Sequence, residues 1–329
     1  MKLKKITAAA MCVSLLLTGC SGLSGKRGLT YSDTLFDTTV KVQILDSADT
    51  SVIKGCETLC KKYDAMFSPD NKKGDVYKIN HAKGKAVTVS DDTISLIKKG
   101  LYYGKFSKSE FDITIGSVSR LWDFRSGKKK VPSSAKIDKK LSHVNYHDVI
   151  INGNAITLAD KHAKIDLGGI AKGYIADRVK DYLKKKGVKH ATINLGGNVQ
   201  TIGTKPDGSD YHIGIQKPFG KNGEAIASVK IDDQSVVTSG IYERYFEKNG
   251  KIYHHVLSPS TGKPCKTDLY SVSVITDSSL TADALSTICL MMGYDRALNM
   301  VNQLDNVDAI FITNDGELHY SNNFQKNHQ

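Results

Sequence analysis

The segment KIDLGGIAKGYIADRV, residues 164–179, constrains the fold more than any other stretch. Alternating residues lead into Asp166, two glycines follow, and apolar residues then recur at helical spacing. A strand must therefore become a helix across Gly168 and Gly169. The paired glycines remove Cβ atoms, which allows a tight turn or the close approach of a ligand to bare backbone. Unpaired N–H groups at the start of the helix favour an anion, and Lys172 in the first turn can reach a phosphate. A ligand-free strand–helix turn is the other reading of the same residues. Leu-Gly-Gly recurs at 195–197, again at the end of a predicted strand.

The rest of the chain alternates between the two periodicities. Residues 38–45 read as a strand, and Val52, Ile53, Cys56, Leu59, Cys60, Tyr63 and Phe67 follow at helical spacing. Ser90-Asp91-Asp92 caps a second helix carrying Ile94, Ile97, Leu101 and Tyr102. Residues 148–159 predict a hairpin turning at Asn152-Gly153-Asn154, and the helix over 170–186 stops at Gly187. A strand is expected at 190–197, short strands from 211 to 275, helices at 280–292 and 295–304, and a last strand, DAIFIT, at 308–313. Such a mixture is α+β, with mixed, largely antiparallel sheets and packed helices.

The first nineteen residues stand apart from this pattern. Lys2, Lys4 and Lys5 precede a short apolar run and Leu17-Thr18-Gly19-Cys20, which resembles the lipobox of bacterial lipoproteins. The expectation is a cleaved signal peptide over 1–19, lipidation of Cys20, and anchoring to the cell membrane on its extracytoplasmic face. A flexible linker is expected over 20–33, one domain over 34–322, and a polar tail over 323–329. The net charge of +12 drops to +9 once the three leader lysines are removed. The lysines are scattered and arginines few, so no nucleic-acid partner is expected. Cys56, Cys60, Cys265 and Cys289 lack zinc or dense disulfide spacing and read as small apolar fillers.

Two further clusters can carry chemistry. In LTADALSTICLMMG, residues 280–293, Asp283 and Thr287 stand four apart and share a helix face. A carboxylate and a hydroxyl so placed suit Mg²⁺, which keeps waters and bonds to substrate phosphates. The plainer alternative is a capped helix with Thr287 bonding back to a carbonyl. In TSGIYERYFEKNGKIYHHVLSPSTGKP, two predicted strands turn at Asn249-Gly250 and lead to His254-His255. Strand alternation lets at most one imidazole serve a site as base.

Taken together, FDITIG at 111–116, LWDF at 121–124, DLGGIAKGYIADRV, NLGGN at 194–198, TSGIYERYF at 238–246, HHVLSPSTGKP at 254–264 and ADALST at 282–287 resemble the FAD:protein FMN transferase (ApbE) family from about residue 34 to 320. The resemblance implies an ApbE-like, T-fold-related architecture. It implies an Mg²⁺-dependent enzyme that moves the FMN half of its substrate FAD onto a threonine hydroxyl of an acceptor protein, releasing AMP. The Gly169 carbonyl, Asp283 and Thr287 would hold the metal. Asp166, Lys172, Glu110, Phe111, Asp112 and the main chain at Leu257 would contact FAD, and His255 would be the base.

Three positions depart from the family pattern. Phe36-Asp37-Thr38 replaces Met-Gly-Thr, placing Phe36 against the flavin; Asp70 stands at a usual tyrosine, and Glu110 at a usual small residue. The family's acceptor sites resemble Asp-Gly-x-Thr, a tetrapeptide absent from this chain, so self-modification is not expected. An FAD-binding lipoprotein and an FAD pyrophosphatase are the competing functions. A base at His255 with an ordinary imidazole pKa predicts a rate that falls with acid near pH 6.5.

Overall fold

Sheet alternation builds two cores, one on each side of a single antiparallel sheet. The structure, a computed structural model, describes residues 28–124, 127–221 and 223–328. The expected signal peptide and Cys20 lie outside the described residues. Strand β1 (Leu29–Leu35) pairs in register with β2 (Thr38–Ile44), and helix α1 (Thr50–Phe67) follows with Asp49 as its N-cap. Next come α2 (Asp75–His81), β3 (Val87–Thr88), α3 (Asp91–Phe106), α4 (Gly116–Ser119), α5 (Ser134–Leu141) and the hairpin β4 (Val149–Asn152) and β5 (Ala155–Leu158). Helix α6 (Ala171–Lys185) leads to β6 (Ala191–Leu195) and β7 (Asn198–Ile202), then β8 (Tyr211–Gln216) and β9 (Ala225–Ile231). Strand β10 (Ser235–Gly240), the hairpin β11 (Tyr245–Lys248) and β12 (Lys251–His254), and β13 (Leu269–Thr276) precede α7 (Ser279–Met292) and α8 (Tyr294–Val301). Strands β14 (Asp308–Thr313) and β15 (Leu318–Tyr320) and helix α9 (Phe324–His328) complete the order.

Eight strands form the main sheet in the order β1-β2-β6-β7-β10-β13-β14-β15. Helices α1, α6 and α7 lie on one face, over β1, β6–β7 and β10–β13 respectively. The side-chain period of two explains why DAIFIT is apolar throughout. Val237, Val274 and Phe311 enter the helix-side core, whereas Val236, Ile275 and Ile310 enter the opposite core under β8–β9. A third small cluster joins Val118, Trp122, Ile137, Phe246 and Leu257 beneath the β11–β12 hairpin.

The expected α+β class and the main elements are present; the boundaries differ at both ends. Residues 29–33 belong to β1 rather than to a linker. This edge strand buries only alternate positions, such as Tyr31, so its sequence stays polar enough to read as linker. The expected polar tail is helical and docked: Phe324 is 1% exposed, and the His328 Nε2 lies 3.1 Å from Asp308 Oδ2. Helix α2 lies in a stretch, between Phe67 and Ser90, for which the sequence reading named no element. The four expected filler cysteines are free and buried. Among the described residues, no helix is long and apolar enough to cross a membrane.

The close approach of α6 to α7 positions everything that follows. Asp177 on α6 accepts the Ser278 hydroxyl (2.8 Å) and the backbone N–H groups of Ser279 (2.8 Å) and Leu280 (3.1 Å), capping α7 from its neighbour. At Gly173, a Cβ would overlap the Ser279 carbonyl and stand 2.6 Å from the Leu280 Cα. Both obstacles are backbone and cannot rotate away. Gly173→Ala is therefore expected to destabilise the protein by about 1–3 kcal/mol, read as a lower urea midpoint with unchanged slope; an unchanged midpoint would mean that α7 shifts freely.

Candidate active site at the junction of α6 and α7

Where a strand was expected to run into Asp166, the chain makes only an isolated bridge from Lys164 to Ile115 before the Gly-Gly turn and α6, and it is held in place by side chains that the sequence pattern did not single out. Asn80 accepts from Ile165 N (2.7 Å) and donates to the Ile165 carbonyl (2.9 Å), while Asp166 N donates to the Ile113 carbonyl (2.7 Å). Asp166 accepts from Gly168 N at 2.9 Å through one oxygen and from the Ser119 hydroxyl at 2.9 Å through the other. Its carboxylate therefore shapes the turn. Gly169 needs its missing Cβ, because that atom would stand 2.9 Å from the Phe111 ring. Buried Phe111 and the Gly-Gly turn pack together.

The helix N-terminus does take an anion, and that anion is the protein's own. Asp283, 2% exposed, accepts from Gly173 N at 2.9 Å through Oδ2, and its Oδ1 lies 3.7 Å from Lys172 Nζ. Burial pushes the Asp283 carboxyl above the usual carboxylate range, opposed by Lys172 and by the Gly173 N–H. Gly173 lies in the first turn of α6, where a helical N–H has no intrahelical acceptor of its own, and Asp283 caps it. No described residue donates to the Gly169 carbonyl four residues back. One turn along α7, the Thr287 hydroxyl lies 3.1 Å from Ser239 Oγ on β10, not on its own helix's carbonyl.

The β11–β12 hairpin supplies the opposite wall. His255 N donates to the Arg244 carbonyl (3.0 Å), and the ring Nδ1 is sealed from solvent with no partner among the described residues. Burial pushes the His255 imidazole down to about 3, assisted by Arg244, Lys172 and His254. His254 points elsewhere: it is 5% exposed, its Nε2 lies 3.2 Å from the Cys265 carbonyl, and burial brings it to about 4. Glu243 is open to solvent, yet desolvation by its surroundings raises its carboxyl; Lys172 and Arg244 oppose this, and Asp283 adds to it. Glu243, Arg244 and Ser239 lie within the TSGIYERYF motif; Ser239 reaches the site because β10 packs against α7, which spacing along the chain does not reveal.

The remaining expected contacts are distributed less evenly. Asp112 has no carboxylate oxygen left over: one accepts from Thr114 N (2.7 Å) and Thr114 Oγ1 (2.6 Å), the other from Tyr146 N (2.9 Å). It anchors the FDITIG loop. Glu110 is paired with Arg296 (3.0 Å) and Asp70 with Arg120 (2.8 Å), polar engagements not expected from the sequence. Half-buried Phe36 occupies the β1–β2 turn at φ 53°, a left-handed conformation uncommon for a bulky residue, with its N–H donating to Asp64 Oδ1 at 2.8 Å. Thr38 beside it fills the space over Gly196, where a Cβ would clash. The two Gly-Gly loops thus differ: 168–169 packs against Phe111, and 196–197 supports the β1–β2 turn. Leu257 is buried in the third cluster, with its backbone bridged to Pro264.

A helix N-terminus closed by a carboxylate from α7, an undonated glycine carbonyl and a motif histidine on a hairpin form one arrangement, and the ApbE family model matches the chain over residues 36–311. The chain belongs to the ApbE family. It is 36% identical over 299 residues to the FAD:protein FMN transferase of Klebsiella pneumoniae (strain 342), covering 90% of this chain and 92% of that protein. It is 27% identical to the FAD:protein FMN transferase of Treponema pallidum (strain Nichols), covering 92% and 89%. Among solved ApbE structures, the protein from Thermotoga maritima superposes with a TM-score of 0.82 at 31% identity, covering 91% of this chain and 99% of that one. The apo flavinyl transferase ApbE of Pseudomonas stutzeri gives 0.81 at 28% identity, over 93% and 98%.

The ordinary-pKa acid limb expected for this ApbE histidine does not fit its surroundings. With pKa values depressed from 6.5 to about 3 and about 4, His255 and His254 stay neutral in the free folded protein above pH 5. The unfolded chain binds those protons first, so stability is complete above pH 6.5 and falls on acidification, by at most about 1.4 kcal/mol per pH unit for each histidine. In a histidine-ring NMR titration, the signals of both residues should remain neutral between pH 8 and 5; a midpoint near 6.5 for His255 would refute the assigned burial.

Proposed function

We propose that the protein is an FAD:protein FMN transferase, a transferase that takes FAD as substrate and attaches FMN to a partner protein. The observation that carries this reading is the buried Asp283 carboxylate of α7 seated on the first-turn Gly173 N–H of α6 with Lys172 at its side, while the carbonyl of Gly169 accepts from no described residue. Family membership and the FAD:protein FMN transferases among its relatives support the same activity.

The finer chemistry follows from the residues. The Gly169 carbonyl, the Asp283 carboxylate and the Thr287 hydroxyl are hard oxygen donors with a single carboxylate among them. That set suits a cation whose remaining positions go to water and substrate phosphate. Among the described residues no group of three or more His, Cys, Asp or Glu is placed to hold a metal, in keeping with a site completed by substrate oxygens. An Mg²⁺ bound there would neutralise charge on the pyrophosphate.

The acceptor threonine oxygen forms a bond to the FMN phosphorus, the bridging phosphorus–oxygen bond to AMP breaks, and AMP leaves with that electron pair. His255, neutral and with Nδ1 sealed, presents Nε2 to take the threonine proton. Lys172, beside Asp283, and the α6 N-terminus offset charge on the departing AMP. The arriving substrate anion also favours protonated His255, so a base too weak in the free protein strengthens when FAD is present. Phe36 at its strained turn borders the flavin, and Asp166, Lys172, Phe111 and the main chain at Leu257 line the nucleotide. Glu110 and Asp70 reach FAD only by leaving Arg296 and Arg120, exposed pairs worth about 0–1 kcal/mol. The lipobox supports an extracytoplasmic, membrane-tethered enzyme, whose acceptor is an exported or membrane protein with an Asp-Gly-x-Thr-like site.

Intact-mass analysis of such an acceptor after incubation with the protein, FAD and Mg²⁺ should show one added FMN on threonine, with AMP released. FAD cleavage without any labelled acceptor would make the protein a pyrophosphatase, and unaltered FAD would make it a binder. Asp283→Ala should abolish labelling while FAD still binds. His255→Asn should keep FAD binding and lose transfer by about 10²–10⁴-fold, whereas His254→Asn should change it little. Equal losses from the two histidine substitutions would remove His255 from the mechanism.

A further inference from the structure

Three hydroxyls run in a chain from α7 to β10 and back. Ser286 Oγ, fully buried, donates to the Asp283 carbonyl at 3.1 Å. Ser239 Oγ lies 2.9 Å from Ser286 Oγ and 3.1 Å from Thr287 Oγ1. Each hydroxyl carries one proton, so counting donors fixes the direction of the whole chain. A carbonyl only accepts, so the Ser286 proton is committed to Asp283. Ser239 must then donate to Ser286, and Thr287 must donate to Ser239. With Ser286 so committed, a Ser239 that donated to Thr287 instead would leave its oxygen 2.9 Å from that of Ser286 with no hydrogen between them.

We infer that Ser239 is a positioning residue for cation binding: it accepts the Thr287 proton and thereby turns the Thr287 lone pairs toward the Gly169–Asp283 oxygens. A hydroxyl can ligate a hard cation only with its hydrogen directed elsewhere. A threonine inside a helix ordinarily gives that hydrogen to the carbonyl four residues back, which for Thr287 is Asp283. In this structure Ser286 already occupies that carbonyl, and β10 supplies the substitute acceptor. Strand alternation makes this possible, since Ser239 shares the helix-facing side of β10 with Val237. The sheet thus sets the orientation of a ligand carried on the helix above it.

This inference rests on the proposed cation site, and the test separates the two. Mn²⁺ is titrated into the protein with saturating FAD and no acceptor, with free Mn²⁺ followed by electron paramagnetic resonance and folding confirmed by thermal unfolding. Ser239→Ala should weaken Mn²⁺ by about tenfold or more, as removal of a group orienting a ligand does, and Ser239→Thr, which keeps the hydroxyl, should restore affinity. In a Thr287→Val background, Ser239→Ala should cost nothing further, because it acts through Thr287. Wild-type affinity in Ser239→Ala, or an undiminished loss in the Thr287→Val background, would overturn the role of Ser239 and leave the cation site standing. Unchanged affinity in Thr287→Val itself would overturn the cation site and, with it, this inference.

Discussion

The hydrogen bond from the Gly173 N–H to the buried Asp283 carboxylate, 2.9 Å long, is the contact on which the site depends. It joins α6 to α7 where a glycine allows the two backbones nearly to touch. It satisfies one orphan amide of the α6 N-terminus and gives the buried carboxylate a partner. The Gly169 carbonyl accepts from no described residue. Asp177 acts one turn along α6 to fix the same pair of helices by capping α7. A single interhelical junction therefore sets the relation between the Gly-Gly turn, Lys172, Asp283 and Thr287.

Charge in the cleft is balanced but not quenched. Lys172 and Arg244 face Asp283 and Glu243, and all of them act on His255 or on one another. The two cations and burial together hold His255 neutral. For the proposed role of His255 as base, this is the right protonation state for accepting a proton, at the cost of low intrinsic basicity. In that proposal an anionic substrate would change the balance locally, so basicity would develop only where a pyrophosphate had displaced water, linking the base to the presence of substrate.

Much of this was legible in the sequence because local spacing carried it. Asp283 and Thr287 lie four apart on a helix, and α6 follows the Gly-Gly turn as expected, although the segment before the turn keeps only an isolated bridge where a strand was expected. What spacing cannot show is which strand lies beneath a helix. Ser239 was visible as a letter of a motif, but its orientation toward α7 arises from the packing of β10, held in register against β13, on that helix. Asp112 shows the converse: a carboxylate in a ligand-binding motif proved to be the anchor of its own loop. Polarity hid β1 at the sheet edge and α9 at the terminus, where few apolar side chains are needed to dock an element.

The most direct measurement is a crystal structure with FAD and Mn²⁺, using anomalous scattering to locate the ion. The account predicts one peak at bonding distance from the Gly169 carbonyl, Asp283 and Thr287, with Gly173 N still donating to Asp283. A peak elsewhere, or a Gly173 N–H donating to the Gly169 carbonyl, would contradict it.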